Sequence, residues 1–236
     1  MRGSNPRVFS GQTLIDNQPP FTTILWDLDG TIIDSRAGIF NSFNHTFAAM
    51  GLPLMRREDL NPYIGPPLLD TFLQICGGDL AEAERAKAIY RESCIQGGGA
   101  LDADVFAGIM DVIAASKAQG KFNSLATSKG LSGVKMVGEH FDFLHLFDVL
   151  GTATNDGSRS TKADVITYAL AELELLDADL TRVVLVGDRI HDVEGAREHG
   201  IEVILVKWGS GDESEWAQAD GIAETPAELA ALLGLS

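Results

Sequence analysis

The apolar run Ile24-Leu25-Trp26 leads straight into two carboxylates one residue apart, Asp27 and Asp29, with Gly30 and Thr31 immediately behind them. A short run of this kind is expected to form a strand, and Asp and Gly end it. Side chains alternate along a strand, so Asp27 and Asp29 leave it on the same side where the backbone opens out. Two carboxylates held together repel unless a cation or a shared proton relieves them. Gly30 has no side chain, so backbone N–H groups there are expected to approach a ligand closely. An ordinary Asp-Gly turn after a strand is the other reading of the same residues.

Comparable groups recur at later strand ends. Thr127-Ser128 follows the strand expected over 121–126, and Lys162 opens a helix expected over 161–173. Gly187-Asp188 closes the apolar strand Val183–Val186, and Asp192 lies in the turn that follows. Each has an ordinary structural alternative: Asp192 as a helix N-cap, Thr127-Ser128 as a cap pair, Lys162 as a solvated lysine. Their shared position at the ligand edge of one sheet favours a common site. Several carboxylates without a His/Cys cluster select a hard cation, and Mg²⁺ is expected. A hard cation, a lysine, hydroxyls and helix N-termini together suit a phosphate group. The chain has no Walker GxxxxGK[ST] motif, no GxGxxG after a strand and no nucleophile-elbow motif.

The elements that must position these groups follow from the pattern of apolar residues. After the opening strand, residues 35–104 show helical periodicity: Ile39, Phe40, Phe43 and Phe47, then Leu68, Leu69, Phe72, Leu73 and Ile75, then the Ala/Glu/Arg-rich stretch 81–95. Gly97-Gly98-Gly99 closes this segment. From 105 onward strands and helices alternate, with helices expected over 105–119, 132–140, 161–173 and 192–199. Strands are expected over 121–126, 148–151, 183–186 and 203–206. Fully apolar β-branched strands between amphipathic helices indicate an α/β fold, a doubly wound parallel sheet of Rossmann-like type with an inserted all-helical segment, which the family resemblance given below makes a cap. The expected division is a flexible leader over 1–20, an α/β core over 21–34 and 105–236, and the helical cap over 35–104.

Composition narrows the partners. The chain has 236 residues and a formal net charge of −16, which argues against nucleic acid or an anionic membrane as partner. A metal ion reverses that sign locally and lets an acidic protein take an anionic substrate. Two cysteines, Cys76 and Cys94, outside any CxxC pair, fit a reduced cytoplasmic chain with buried thiols. No run reaches the roughly 18 apolar residues of a membrane span. A monomer or homodimer is expected.

The four motifs resemble those of the haloacid-dehalogenase-like (HAD) hydrolases, on their phosphatase branch, and the resemblance runs from about Phe21 to Leu233. The family's DxDGT motif is met by Asp27 to Thr31, its hydroxyl motif by Thr127, its lysine by Lys162 and its GDxxxD motif by Gly187 to Asp192. Ala163 stands where many members carry proline. The resemblance implies that Asp27 is a nucleophile forming an aspartyl-phosphate, and that Asp29 moves the proton. It further implies that Mg²⁺ is held by Asp27, the Asp29 carbonyl and Asp188, with Asp192 beside them. Thr127, Ser128, Gly30 and Lys162 would bind the phosphoryl group. Asp29 separates a phosphatase from a dehalogenase, because a halide leaving group needs no proton. The segment Tyr63–Leu68, including Gly65, looks like a cap loop of phosphoglycolate-phosphatase-like and 5′-nucleotidase-like members, and Arg91 is expected either as a solvated helix arginine or as a contact to a second anionic group. The substrate implied is a small phosphorylated metabolite. The alternatives are a β-phosphoglucomutase-like phosphomutase and a catalytically silent HAD-fold binding module.

Overall fold

A computed structural model of the chain describes residues 20–59, 61–63 and 65–235. Apart from Pro20, the leader expected over 1–20 lies outside the described residues, as does Ile64 of the expected cap loop. The chain begins with β1 (Thr23–Trp26) and the two-residue β2 (Ile33–Asp34). Helices α1 (Arg36–Met50), α2 (Leu68–Ile75) and α3 (Leu80–Ile95) follow, and β3 (Asp104–Val105) brings the chain back. Alternation then sets in: α4 (Ile109–Ala118), β4 (Phe122–Gly130), α5 (Leu131–His140), β5 (Val149–Ala153), α6 (Lys162–Leu175), β6 (Val183–Gly187), α7 (Ile190–Glu198) and β7 (Glu202–Val206). A short α8 (Glu213–Trp216), β8 (Gly221–Ala223) and α9 (Pro226–Leu232) complete it.

Six of these strands form one sheet in the order β5-β4-β1-β6-β7-β8, with every pairing parallel. The two-residue period of a strand explains why both faces are covered. In β1, Ile24 and Trp26 enter one apolar layer while Leu25 enters the other. In β6, Val184 and Val186 divide from Leu185 in the same way, and in β7 Ile204 and Val206 divide from Val203 and Leu205. The first layer is completed by Ile109, Val112 and Ile113 of α4, Val134 and Val137 of α5, and Leu229 of α9. The second takes Val165, Ile166, Ala169 and Leu173 of α6 with Val193 and Ala196 of α7. The chain is therefore an α/β protein with a doubly wound, Rossmann-like parallel sheet. Trp26 is buried whole, and its indole N–H donates to Asn123 Oδ1 at 3.0 Å, which satisfies its one polar atom.

The segment between β2 and β3 packs on a third apolar cluster. Phe43 and Phe47 of α1, Phe72 of α2, and Ala83 and Ala86 of α3 form its buried centre. The Phe43 ring lies 4.9 Å from that of Tyr90 and 5.4 Å from that of Phe72, centroid to centroid. The chain enters and leaves this segment through an antiparallel ribbon that pairs Ile33 with Val105 and Asp34 with Asp104.

That ribbon corrects one expected boundary. Residues 104–105 pair as a strand, and Gly108, at a φ of +84°, begins the helix only at Ile109 rather than at 105. The strand expected over 121–126 runs on to Gly130, because β5 keeps pairing past a register shift between Thr127 and Gly130. No described helix is long and apolar enough to cross a membrane.

Replacing Phe43 with alanine removes the ring shared by all three helices and is expected to cost about 3–5 kcal/mol. Urea unfolding measures it. Leu54→Ala, in the same segment but 66% exposed, is expected to stay within about 0.5 kcal/mol of the parent.

Candidate active site

Three side chains from three elements meet at the carboxyl end of β1. The Asp27 N–H donates to the Val186 carbonyl at 2.9 Å, so the β1–β6 pairing still holds the backbone at the residue whose carboxylate turns into the site. Lys162 is the first residue of α6, where Thr161 caps the helix and Asp164 completes a reciprocal capping box. Its ammonium lies 2.8 Å from Asp27 Oδ1, 2.8 Å from Asp192 Oδ1 and 2.8 Å from the Ala126 carbonyl. The contacts to Asp27 and Ala126 are hydrogen bonds, and the one to Asp192 is an ion pair. The aliphatic stem passes against α7 at Gly195, where a Cβ would sit 2.7 Å from Lys162 Cγ.

Asp192 fulfils both of its readings at once. Its Oδ2 accepts from the N–H groups of Asp188 and Arg189 at 3.1 Å each, capping α7, while Oδ1 faces Lys162. Asp188 accepts from the Ser210 N–H at 2.7 Å through Oδ2. Its Oδ1 is buried and has no hydrogen-bond partner among the described residues. Carboxylate oxygens of Asp27, Asp188 and Asp192 all lie within 4.8 Å of one another, and all three residues are buried.

The electrostatics follow from this crowding. Burial, opposed by Lys162 and reinforced by the negative charge of Asp192, raises the Asp27 pKa to about 6. Burial raises Asp188 well above the usual carboxylate range, with Asp27 and Asp192 adding to it. Burial works against the Lys162 charge, but Asp192 and Asp27 outweigh it and raise its pKa. Three acids against one lysine leave the cluster short of positive charge. An all-oxygen donor set in which two buried carboxylate oxygens, Asp188 Oδ1 and Asp192 Oδ1, accept no hydrogen bond among the described residues fits a hard divalent cation.

Asp29 has a lysine of its own. Lys129 Nζ lies 2.9 Å from each of its carboxylate oxygens. Burial opposes the Lys129 charge, but the Asp29 carboxylate raises its pKa above the ordinary value. The sequence reading stopped at Thr127-Ser128 and passed over this lysine, although it stands one residue further along the same strand end. Thr127 is buried and its hydroxyl oxygen accepts from the Lys129 N–H at 3.2 Å; Ser128 is half-buried.

Gly30 requires a correction. Its N–H donates to the Ile33 carbonyl at 2.8 Å, so that donor is committed to the turn and does not face a ligand. Glycine stands there for two other reasons. Its φ is +86°, and a Cβ would fall 2.2 Å from Asp188 Oδ2. The cysteines are free, as expected, but half-buried rather than buried.

A cavity of about 590 Å³ unites these groups. Asp27, Asp29, Thr127, Ser128, Lys129, Lys162, Asp188 and Asp192 line it from the sheet side, and Tyr63, Gly65, Tyr90 and Arg91 line it from the α1–α3 side. Arg91 donates to the Asn155 carbonyl at 3.4 Å. Gly65, at a φ of +108°, brings its loop to within contact of His191 and Arg189. His191, assigned no role from sequence, also lines the cavity.

Comparison with known proteins agrees with this geometry. The family model for haloacid dehalogenase-like hydrolases matches residues 24–206. Tyrosine-protein kinase PtkA of Mycobacterium tuberculosis is 37% identical over 188 residues, 80% of this chain and 62% of that protein. The chain thus spans about three-fifths of the length of that relative. A 5′-nucleotidase of Pseudomonas aeruginosa is 35% identical over 212 residues, 90% of this chain and 94% of the other. The crystal structure of a predicted phosphatase from Clostridium acetobutylicum superposes with a TM-score of 0.84 at 31% identity, covering 91% of this chain and 99% of that one.

The cluster generates a prediction that needs no substrate. A hard divalent cation at a hundredfold excess over its Kd is expected to stabilise the protein by about 2.7 kcal/mol. In a chain of this size that is a rise in Tm of about 5–10 °C. Asp188→Asn removes one of three repelling acids, so its Tm without metal is expected to rise while the metal-dependent increment disappears.

Proposed function

The chain belongs to the haloacid dehalogenase-like hydrolases, and from that membership we propose that it is a Mg²⁺-dependent phosphatase of small phosphate monoesters with Asp27 as nucleophile. The observation that carries the reading is the buried Lys162 ammonium, 2.8 Å from Asp27 and from Asp192 at the floor of the cavity. It fixes the Asp27 carboxylate in one orientation and offsets the repulsion an incoming phosphoryl group would meet. The names of the Pseudomonas and Clostridium relatives support hydrolysis of a phosphoester.

In this mechanism Asp27 attacks phosphorus, the ester P–O bond breaks, and Asp29 gives its proton to the departing oxygen. Asp29 then takes a proton from water, which attacks the aspartyl-phosphate and restores Asp27 with release of inorganic phosphate. Thr127 and Lys162 bind the phosphoryl oxygens during both steps. Mg²⁺ would be held by the Asp27 and Asp188 carboxylates and the Asp29 carbonyl, with Asp192 beside them. When bound it supplies the positive charge that lets an anionic ester approach three acids. Residues 35–104 are the cap, joined through the β2–β3 ribbon to a core of 21–34 and 105–236. Its closure over the cavity keeps water from the ester until it is positioned.

The relative named as a tyrosine-protein kinase supports a second reading, in which the phosphoryl group passes to a tyrosine hydroxyl instead of water. One panel separates the readings: phosphate release from phosphoglycolate, nucleoside monophosphates, sugar phosphates and pyrophosphate, set beside phosphate transfer from ATP to a tyrosine peptide. The hydrolase reading expects release from at least one ester with Mg²⁺, and transfer without release favours the kinase. Asp27→Asn is expected to lower release by on the order of 10⁴-fold or more with the circular dichroism spectrum unchanged. Substantial turnover in that variant would remove Asp27 as nucleophile.

A further inference from the structure

The loop that follows β7, residues 207–212, belongs to none of the four motifs, yet it touches both acidic turns. The Trp208 indole N–H donates to the Thr31 carbonyl at 3.0 Å, which ties the loop to the turn behind Asp27 and Asp29. A Cβ on Gly209 would stand 2.3 Å from Asp188 Cβ and 2.5 Å from the Gly30 carbonyl oxygen, so the backbone passes close to both turns at once. The Ser210 N–H donates to Asp188 Oδ2 at 2.7 Å. A Cβ on Gly211 would fall 2.2 Å from the Asp188 carbonyl oxygen. Three consecutive residues thus enclose Asp188. Of its two carboxylate oxygens, Oδ2 is taken by the loop and Oδ1 accepts no hydrogen bond among the described residues.

A stretch holding Gly209 and Gly211 has little stiffness of its own and needs a tether. Glu215 supplies it. The Asp212 carboxylate accepts from the Ser214 N–H at 2.8 Å and the Glu215 N–H at 3.2 Å, which opens α8 and sets Glu215 in its first turn. The Glu215 carboxylate then accepts from Arg189 Nε at 3.0 and 3.2 Å and from Arg189 Nη2 at 3.1 Å. Because Arg189 follows Asp188 in the chain, these contacts close a ring. It runs from Asp188 through the Arg189 side chain to Glu215, back along the loop to Ser210, and across the 2.7 Å bond to Asp188. The Arg189 and Glu215 side chains are only 13% and 12% exposed. A forked arginine–carboxylate contact with so little water around it fixes orientation as well as distance. Arg189 borders the cavity and comes within contact of Gly65, whereas Glu215 is not among the described residues that line it. Any influence of Glu215 on the site therefore passes through its neighbours.

We propose that Glu215 is a positioning residue for the cation site: by holding Arg189 it keeps the Ser210 N–H on Asp188 Oδ2, which leaves Oδ1 as the oxygen available to the cation. This rests on the Mg²⁺ part of the phosphatase reading and adds to it a residue that touches neither metal nor ester. Without the Glu215 carboxylate the loop loses its tether at α8, and the Asp188 carboxylate gains rotational freedom that cation binding must then remove. The loss falls on affinity for the cation, because the ligand oxygens themselves are unchanged.

The test is a calorimetric titration of MgCl₂ into the full chain, with the Tm of each protein recorded without metal. Glu215→Ala is expected to weaken Mg²⁺ binding by about ten- to hundredfold, and Glu215→Gln, which keeps one acceptor for Arg189, by less. Leu173→Ala, a buried change beneath α6, is expected to lower Tm and leave the Kd for Mg²⁺ as in wild type. An unchanged Kd in both Glu215 variants overturns the proposal, as does a weakening that Leu173→Ala shares. Where Glu215→Ala fails to fold with Arg189 left unpaired, Glu215→Gln decides alone. Amide exchange at Ser210, measured without metal, separates this from the Mg²⁺ reading. Exchange there is expected to be faster in Glu215→Gln than in wild type. If it is faster and wild type takes up no Mg²⁺, the Mg²⁺ reading falls and the tether on Asp188 stands. Unchanged exchange at Ser210 overturns the tether whatever the metal does.

Discussion

The Lys162 ammonium joins parts of the chain that are 135 residues apart in sequence, and the rest of the site is arranged around it. It contacts the end of β1 through Asp27, the end of β4 through the Ala126 carbonyl and the start of α7 through Asp192. Buried charges are costly to desolvate, and two hydrogen bonds with two ion pairs to carboxylates offset that cost for Lys162. Even so, the balance is incomplete. Asp27 and Asp188 are both pushed upward in pKa, and one oxygen of Asp188 has no partner among the described residues. The fold holds this excess of negative charge in place, and its all-oxygen donors fit a hard divalent cation.

Holding it requires close approach from several directions. Gly30 and Gly209 each come so near Asp188 that a Cβ would overlap its carboxylate, at 2.2 and 2.3 Å. Gly187 does the same for Asp192, and Gly195 for the stem of Lys162. The sheet supplies the framework. The chain moves outward from β1 through β4 to β5, then returns to the other side of β1 and continues through β6, β7 and β8. Crossovers that depart in opposite directions leave a crevice at the carboxyl ends of the strands between them. Asp27, Thr127 and Asp188 stand at the ends of β1, β4 and β6, the three central strands that border that crevice.

The two acids of the opening motif are separated chemically by which lysine each one meets. Asp27 faces a lysine that begins a helix, and its side chain is 12% exposed. Asp29 faces a lysine at the distorted end of a strand, in a setting that water reaches. Carboxylates two positions apart along the chain thus meet lysines from different elements.

Local residue types were enough for the α/β class, the parallel sheet, and the grouping of Asp27, Asp188, Asp192 and Lys162 at one edge. Apolar periodicity and strand-end chemistry are properties of short stretches, and each stretch carries its own signal. The helical segment over 35–104 was equally legible, because its aromatic stripe recurs at the spacing of a helix face. What depends on partners distant in sequence was not legible. The β2–β3 ribbon is two residues on each side, too short for any periodicity. Gly30 invites a reading as an open donor, and only the turn to Ile33 and the contact with Asp188 show what it is for. Lys129 looks like one more surface lysine until the register shift at the end of β4 turns it toward Asp29. Sequence determines which groups are present and on which elements. Tertiary structure decides which charge meets which, because an ion pair is set by distance in space and leaves no mark on the spacing of residues along the chain.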